Sequence, residues 1–353
     1  MSDGAYILLW FYGLLFVVVF SSSANIKDIT KKSDSLGYLL VILTILYITY
    51  RPISFSFGDT VSYARNYERA SYWGESITHP DLGFTYLTNI LIPFKSVRLY
   101  FFVIACLYVI PVAIALKRVF NNYWYYAFLL FIGSFSFWGY GINGLRNGIS
   151  TSLILSALLL KNKWTKYILF GIGISMHKSG LLPVLFYFIT QHYNNPKKYI
   201  NIWLLSIPLT VFTHSFFEGL MTVLNLGEDD NRLSGYAHST DGDGRLFSRT
   251  GFRWDFILYS SIPIIMGYYY IYKYKFVDKL YLTLFNIYIG CNTGWLYCMY
   301  VPYNNRFAYL SWFLYPVIIS YPILKKIIVP FQDNWIKYTV FINYAFTFMM
   351  TII

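Results

Sequence analysis

Apolar runs such as YLLVILTILYITY, residues 38 to 50, follow one another from Gly4 to the end of the sequence. Several approach the roughly 20 residues with which a helix crosses the hydrocarbon core of a bilayer. So many runs, apolar on every face, need lipid around them as well as one another. The pattern predicts crossings near residues 4 to 20, 36 to 50, 98 to 116, 123 to 140, 144 to 160, 200 to 222, 252 to 272, 280 to 301, 307 to 324 and 336 to 353. The expected fold is all-α, a polytopic membrane protein of about 10 crossings, with residues 1–353 as a single transmembrane domain. The first run, YILLWFYGLLFVVVF, has no basic segment before it and no small-residue cleavage site after it. It is expected to be a retained helix rather than a signal peptide.

Composition narrows the function classes. Of 353 residues, 57% are hydrophobic and only 12% charged, so no large soluble domain fits between the runs. The formal net charge of +12 invites a nucleic-acid partner, but the basic residues lie between apolar runs. Membrane topology explains them better, and no nucleic acid is expected. Cys291 and Cys298 fall in one apolar run, about 10 Å apart at helical rise, so they cannot pair there. With no cluster of Cys and His, no structural metal is expected.

Residues 165 to 189 decide the topology. Read as one crossing, they put the later lysine clusters (Lys197-Lys198; Lys273, Lys275, Lys279; Lys325-Lys326) opposite the earlier ones, against the positive-inside bias. Read as a re-entrant hairpin broken near His177-Lys178-Ser179-Gly180, they bring every cluster to the cytoplasmic side. On that reading all lysines but Lys95 and Lys178 lie inside, and all arginines but Arg118 lie outside. Arginine grips phosphate with two parallel bonds, whereas lysine suffices for attraction to anionic headgroups. The outer face is therefore expected to hold phosphate.

Two outer loops are long, 51–97 and 223–251. The first contains PDLGFTYLTNILIPF, too short to span and expected as an amphipathic interfacial helix. The second, rich in Gly, Ser and Asp, is expected to be a mobile lid. Its DGDG run and Glu228-Asp229-Asp230 lack EF-hand spacing and are read as solvated rather than metal-binding.

The hairpin climbs about 16 Å from Lys166 to Met176, while GLRNGISTSLILSALLL carries Arg146 about 22 Å above Lys161. Arg146 and the hairpin tip therefore lie at similar depth, where His177, Lys178 and Arg146 could converge on an anion. The bland alternative for His177 and Lys178 is capping of the broken helix ends. In FGDTVSYARNYERA, Asp59 is either a base or a helix N-cap. Arg306, in VPYNNRFAYLSWF, either binds phosphate or anchors the interface.

FGDTVSY, PDLGFTYL, LRNGISTSLILSALLLKNKW followed by SMHKSGLLP, and NNRFAYL together resemble the EpsG-like branch of the Wzy-type polysaccharide polymerases. The most specific part is Arg146-Asn147 followed about thirty residues later by His177-Lys178-Ser179; many members carry Arg-Gln at the first position. The resemblance implies a GT-C-like architecture and a metal-independent glycosyltransferase without a cofactor. It would act at the outer, periplasmic face of the bacterial inner membrane, moving a growing glycan from one undecaprenyl diphosphate carrier to a lipid-linked repeat unit. It also implies a separate Wzz-type chain-length regulator as partner. A diphosphate leaves readily, so the chemistry needs cations for its developing charge and a base for the acceptor hydroxyl. Arg146, Lys178 and Arg306 are expected to grip diphosphate, with Arg51 and Arg253 as further candidates and Asn147 and Ser179 beside them. His177 is the expected base and Asp59 its substitute. The rival readings are a lipid-linked oligosaccharide flippase or other transporter, an O-antigen ligase, and an acyltransferase.

Overall fold

A computed structural model describes residues 2–75, 77, 80–223, 251–300 and 304–352, with residues 217–223 as backbone only. Among these, every regular element is helical. In chain order they are α1 (Asp3–Ser23), α2 (Ile26–Lys31), α3 (Ser33–Thr49), α4 (Thr60–Trp73), α5 (Leu82–Leu91) and α6 (Val97–Phe120). Next come α7 (Trp124–Ile132), α8 (Phe135–Ile142), α9 (Leu145–Leu159), α10 (Lys163–Met176), α11 (Leu181–His192) and α12 (Pro196–Val223). The remainder are α13 (Trp254–Tyr268), α14 (Lys279–Tyr297), α15 (Asn305–Trp312), α16 (Tyr315–Lys325) and α17 (Gln332–Ile352). Some helix starts are capped by side chains that accept from early backbone N–H groups: Ser2, Ser96, Asn162 and Asp278 cap α1, α6, α10 and α14.

Among the described residues, three stretches are long and apolar enough to cross a membrane: Asp3–Ser23, Val97–Ile132 and Asn305–Lys325. Shorter apolar helices, Ser33–Thr49 and Leu145–Leu159 among them, run 10–17 residues. At 1.5 Å per residue α9 extends only about 22 Å, short of a hydrocarbon core of about 30 Å. The segment expected as one crossing at 123 to 140 is two helices, broken at Gly133-Ser134. The break is tolerated because Asn343 on α17 donates to the carbonyls of Leu130 and Gly133, both at 3.3 Å. The segment expected at 307 to 324 is likewise α15 and α16, with a turn at Phe313. The expected lid, with its DGDG and Glu228-Asp229-Asp230 runs, lies outside the described residues.

Most basic residues separate by type, with Arg118 beside Lys117 at the lysine end and Lys95 and Lys178 at the other as exceptions. Lys117 at the end of α6 lies 2.9 Å from Asp34 at the start of α3, and Lys325 at the end of α16 donates to the Val119 carbonyl at 2.7 Å. Lys197, at the start of α12, stacks over Tyr272, just beyond α13. Asp278 and Tyr321 meet at the same end, tying in the start of α14. At the opposite end Arg98 donates to the Arg51 carbonyl at 2.7 Å, and Arg51 Nε to Thr60 Oγ1 at 3.0 Å.

The core runs the length of the bundle. Its centre is α9, packed between α6 and α10 and buried at every position but Arg146. The hydroxyls of Thr151, Ser152 and Ser156 are all paired with carbonyls, so this polar-looking helix carries its burial. The three cysteines are free thiols.

Candidate functional site at the head of α9

α10 and α11 form an antiparallel hairpin whose open end lies with the lysines, since Asn286 on α14 donates to Asn194 at 2.5 Å just beyond α11. Its tip is the turn Lys178–Gly180, a single 3₁₀ turn. Glycines set the hairpin against α9. A Cβ at Gly180 would lie 2.5 Å from Ser150 Oγ and 2.7 Å from Ile154 Cδ1, and one at Gly173 would lie 2.9 Å from Ile154 Cγ1. Ser150 Oγ also donates to the His177 carbonyl at 3.4 Å. Only hydrogen side chains allow this approach, and it carries His177 to the first turn of α9.

Asp81, immediately before α5, joins the two. Its Oδ2 accepts from Arg146 Nη1 at 2.6 Å, and its Oδ1 accepts from the Lys178 backbone N–H at 3.1 Å. The carboxylate is 2% exposed and Arg146 13%, so this is a buried ion pair rather than a solvated one. Arg146 Nε lies 3.3 Å from the Tyr63 hydroxyl of α4, which fixes the plane of the guanidinium. α5 is held on the hairpin by Gly83, whose Cβ would come 2.2 Å from Ser175 Oγ. The segment expected as an interfacial helix is helical, with Phe84, Thr88 and Leu91 buried and Leu82, Tyr86 and Ile90 exposed. The sequence hid its main function, because an aspartate ahead of a helix reads as an N-cap. Asp81 makes no side-chain cap bond to α5.

Asn147 Oδ1 lies 2.6 Å from Ser179 Oγ, which in turn lies 2.7 Å from His177 Nδ1. The Arg-Asn and His-x-Ser motifs therefore touch. α15 packs against the 3₁₀ turn and brings Arg306 into the neighbourhood of His177, where Arg146, Arg306 and Lys178 all act on the ring's charge. Arg306 Nη2 lies 3.6 Å from Asp59 Oδ2. Asp59 is fixed by its N–H, which donates to Asn143 Oδ1 at 2.9 Å between α8 and α9. The preceding Gly58, at φ +58, is needed there because a Cβ would lie 2.4 Å from that same oxygen.

The remaining two candidates stand apart. Arg51 is fully buried, donates to the Ile48 carbonyl at 2.6 Å and lies 4.3 Å from the Phe101 ring centroid. Arg253 pairs with Asp255 through two bonds of 2.8 and 2.5 Å and stacks on Phe256. Among the described residues, no hydrogen bond of either reaches Arg146, His177 or Lys178.

Among the described residues, Arg146, Lys178 and Arg306 stand against Asp81 and Asp59, a balance of one positive charge beside His177. Such a joint suits an anion with more than one charge. The apolar helices define a helical membrane protein, with this cationic joint at the head of α9. The chain belongs to the EpsG family, whose model matches residues 34–353. No curated protein and no solved structure matches it.

Proposed function

We propose that this protein is a membrane glycosyltransferase that polymerises undecaprenyl-diphosphate-linked oligosaccharide repeat units into surface polysaccharide. Membership of the EpsG family supports a membrane protein of the polysaccharide-polymerase type. The observation that carries the finer reading is the single carboxylate of Asp81, which clamps Arg146 and the Lys178 backbone together and so assembles two motifs from separate helices.

In this reading Arg146, Lys178 and Arg306 hold the diphosphate of the donor carrier and stabilise the charge that grows on it as the glycosidic bond breaks. Asn147 and Ser179 orient the hairpin tip. The acceptor hydroxyl needs a base, and His177 and Asp59 are the two groups the sequence offers. The reaction works without a metal or cofactor. The lysine-rich end faces the cytoplasm and the arginine-rich end the outer side of the bacterial inner membrane, with α10 and α11 as a re-entrant hairpin among about ten crossings in a GT-C-like arrangement. A Wzz-type partner sets chain length.

The test is deletion of the gene in its native host with gel analysis of surface glycan. The expected result is a single capped repeat in place of a ladder, restored by the wild-type gene and not by Arg146→Ala at equal protein level. Loss of all surface glycan would favour a flippase or a ligase instead.

A further inference from the structure

We infer that His177 serves the transfer as a hydrogen-bond donor through Nε2–H, and that the base is Asp59; this rests on the polymerase reading above. The argument starts from the backbone. α10 ends at Met176, and His177 is extended, with φ −160° and ψ 126°, so its side chain caps the 3₁₀ turn that follows. The Ser179 N–H donates to His177 Nδ1 at 3.2 Å, and Ser179 Oγ lies 2.7 Å from the same nitrogen.

Three features of this network can adjust: the serine hydroxyl rotates, the Asn147 amide can be turned over, and the ring can take either tautomer. The peptide N–H cannot adjust, because the planar peptide and the turn fix its direction. An N–H aimed at Nδ1 requires a lone pair there. A proton on Nδ1, whether in the other neutral tautomer or in the imidazolium, would set two N–H groups against each other. The neutral ring therefore carries its proton on Nε2. With the Asn147 amide turned so that its NH₂ faces Ser179 Oγ, the serine O–H also donates to Nδ1, and every contact is satisfied. The His-x-Ser spacing is thus a self-contained cap that sets the tautomer.

Nε2 has no partner among the described residues, and the residue is not fully buried. A nitrogen that already holds its proton cannot take one from an acceptor hydroxyl. It can donate to an oxygen on which negative charge develops, beside Arg146, Lys178 and Arg306. In the transfer, the acceptor oxygen forms its bond to the anomeric carbon of the donor glycan. The bond from that carbon to the diphosphate oxygen breaks, and its electron pair leaves with undecaprenyl diphosphate. The acceptor proton passes to Asp59, while His177 keeps its own and bonds the departing diphosphate.

Two substitutions separate the ring's two nitrogens. H177N keeps an acceptor for the Ser179 N–H and has no distal donor; H177Q places an amide NH₂ near the Nε2 position and gives up the cap. Chain extension is read with purified protein and lipid-linked repeat units, against wild type and D59N. The donor role predicts that H177Q keeps at least about a tenth of the wild-type rate. H177N and H177A should fall by on the order of 100-fold or more, the scale of losing one donor to a developing oxyanion. D59N should fall by a similar factor, on the scale of a lost general base. H177Q as inactive as H177A at equal thermal stability, or H177N as active as wild type, overturns the donor role. Activity of D59N near wild type overturns the base. Nitrogen NMR of histidine-labelled protein reads the tautomer without any turnover: a directly bonded proton at Nδ1 removes the proposal. Wild-type protein that makes no polymer from lipid-linked repeats would instead remove the polymerase reading and leave the tautomer to stand on the NMR result.

Discussion

Arg146 and Asp81 show how much one buried pair can organise. The carboxylate accepts one bond from a side chain on α9 and one from the backbone of the hairpin tip, so it fixes two elements at once. Asp81→Asn would take the Asp81 charge from a guanidinium that is 13% exposed. Breaking such a pair from one side typically costs about 3–5 kcal/mol. We expect a lower melting temperature in detergent and a loss of chain extension on the order of 100-fold. Arg146→Lys should fare little better, because a single ammonium cannot serve Asp81 and the Tyr63 hydroxyl in the same plane. Unchanged melting and activity in both variants would mean that the pair is incidental. Arg146 was legible in the sequence because a cation in an apolar run demands an explanation. Asp81 was not, because it sits beside a proline at a helix start, where aspartate is ordinary.

At the scale of elements, the site depends on how closely the hairpin and α5 approach their neighbours. Gly180→Ala forces a methyl group to within 2.5 Å of Ser150 Oγ and 2.7 Å of Ile154 Cδ1. Overpacking of this kind costs about 1–3 kcal/mol. The cheapest relief is withdrawal of the tip from α9, which also lengthens the contact between Ser179 and Asn147. The variant should therefore lose activity by a larger factor than its change in melting temperature implies. Gly171→Ala, with open space around its Cβ, is the control and should be near neutral. Equal behaviour of the two would separate the hairpin's approach from function. Apolar periodicity located these helices well, but it did not find the breaks at Gly133 and Phe313. The first of these breaks depends on Asn343, more than two hundred residues away, to donate to the freed carbonyls.

Across the whole molecule, the lysines other than Lys95 and Lys178 gather at one end of the bundle and the site's arginines at the other, with both feet of the hairpin at the lysine end. If the lysine end is cytoplasmic, cysteines introduced at Lys163, Lys197 and Lys275 share one response to a membrane-impermeant maleimide, all protected in intact cells. A cysteine at Tyr72, on α4, should label. Opposite responses at Lys163 and Lys197 would make α10 and α11 a crossing, and the re-entrant arrangement would fail. The sequence by itself determined that the chain is helical and membrane-bound, where most of its helices lie, and which cations stand in apolar surroundings. These follow from local hydropathy and from the cost of charge in apolar surroundings, both carried by short windows. Only the tertiary structure decided that Asp81 and Tyr63 hold Arg146, that Arg51 and Arg253 bond elsewhere, and which nitrogen of His177 accepts. Each of those depends on distances between residues far apart in the chain or on the direction of one peptide N–H, and neither leaves a periodic trace in the sequence.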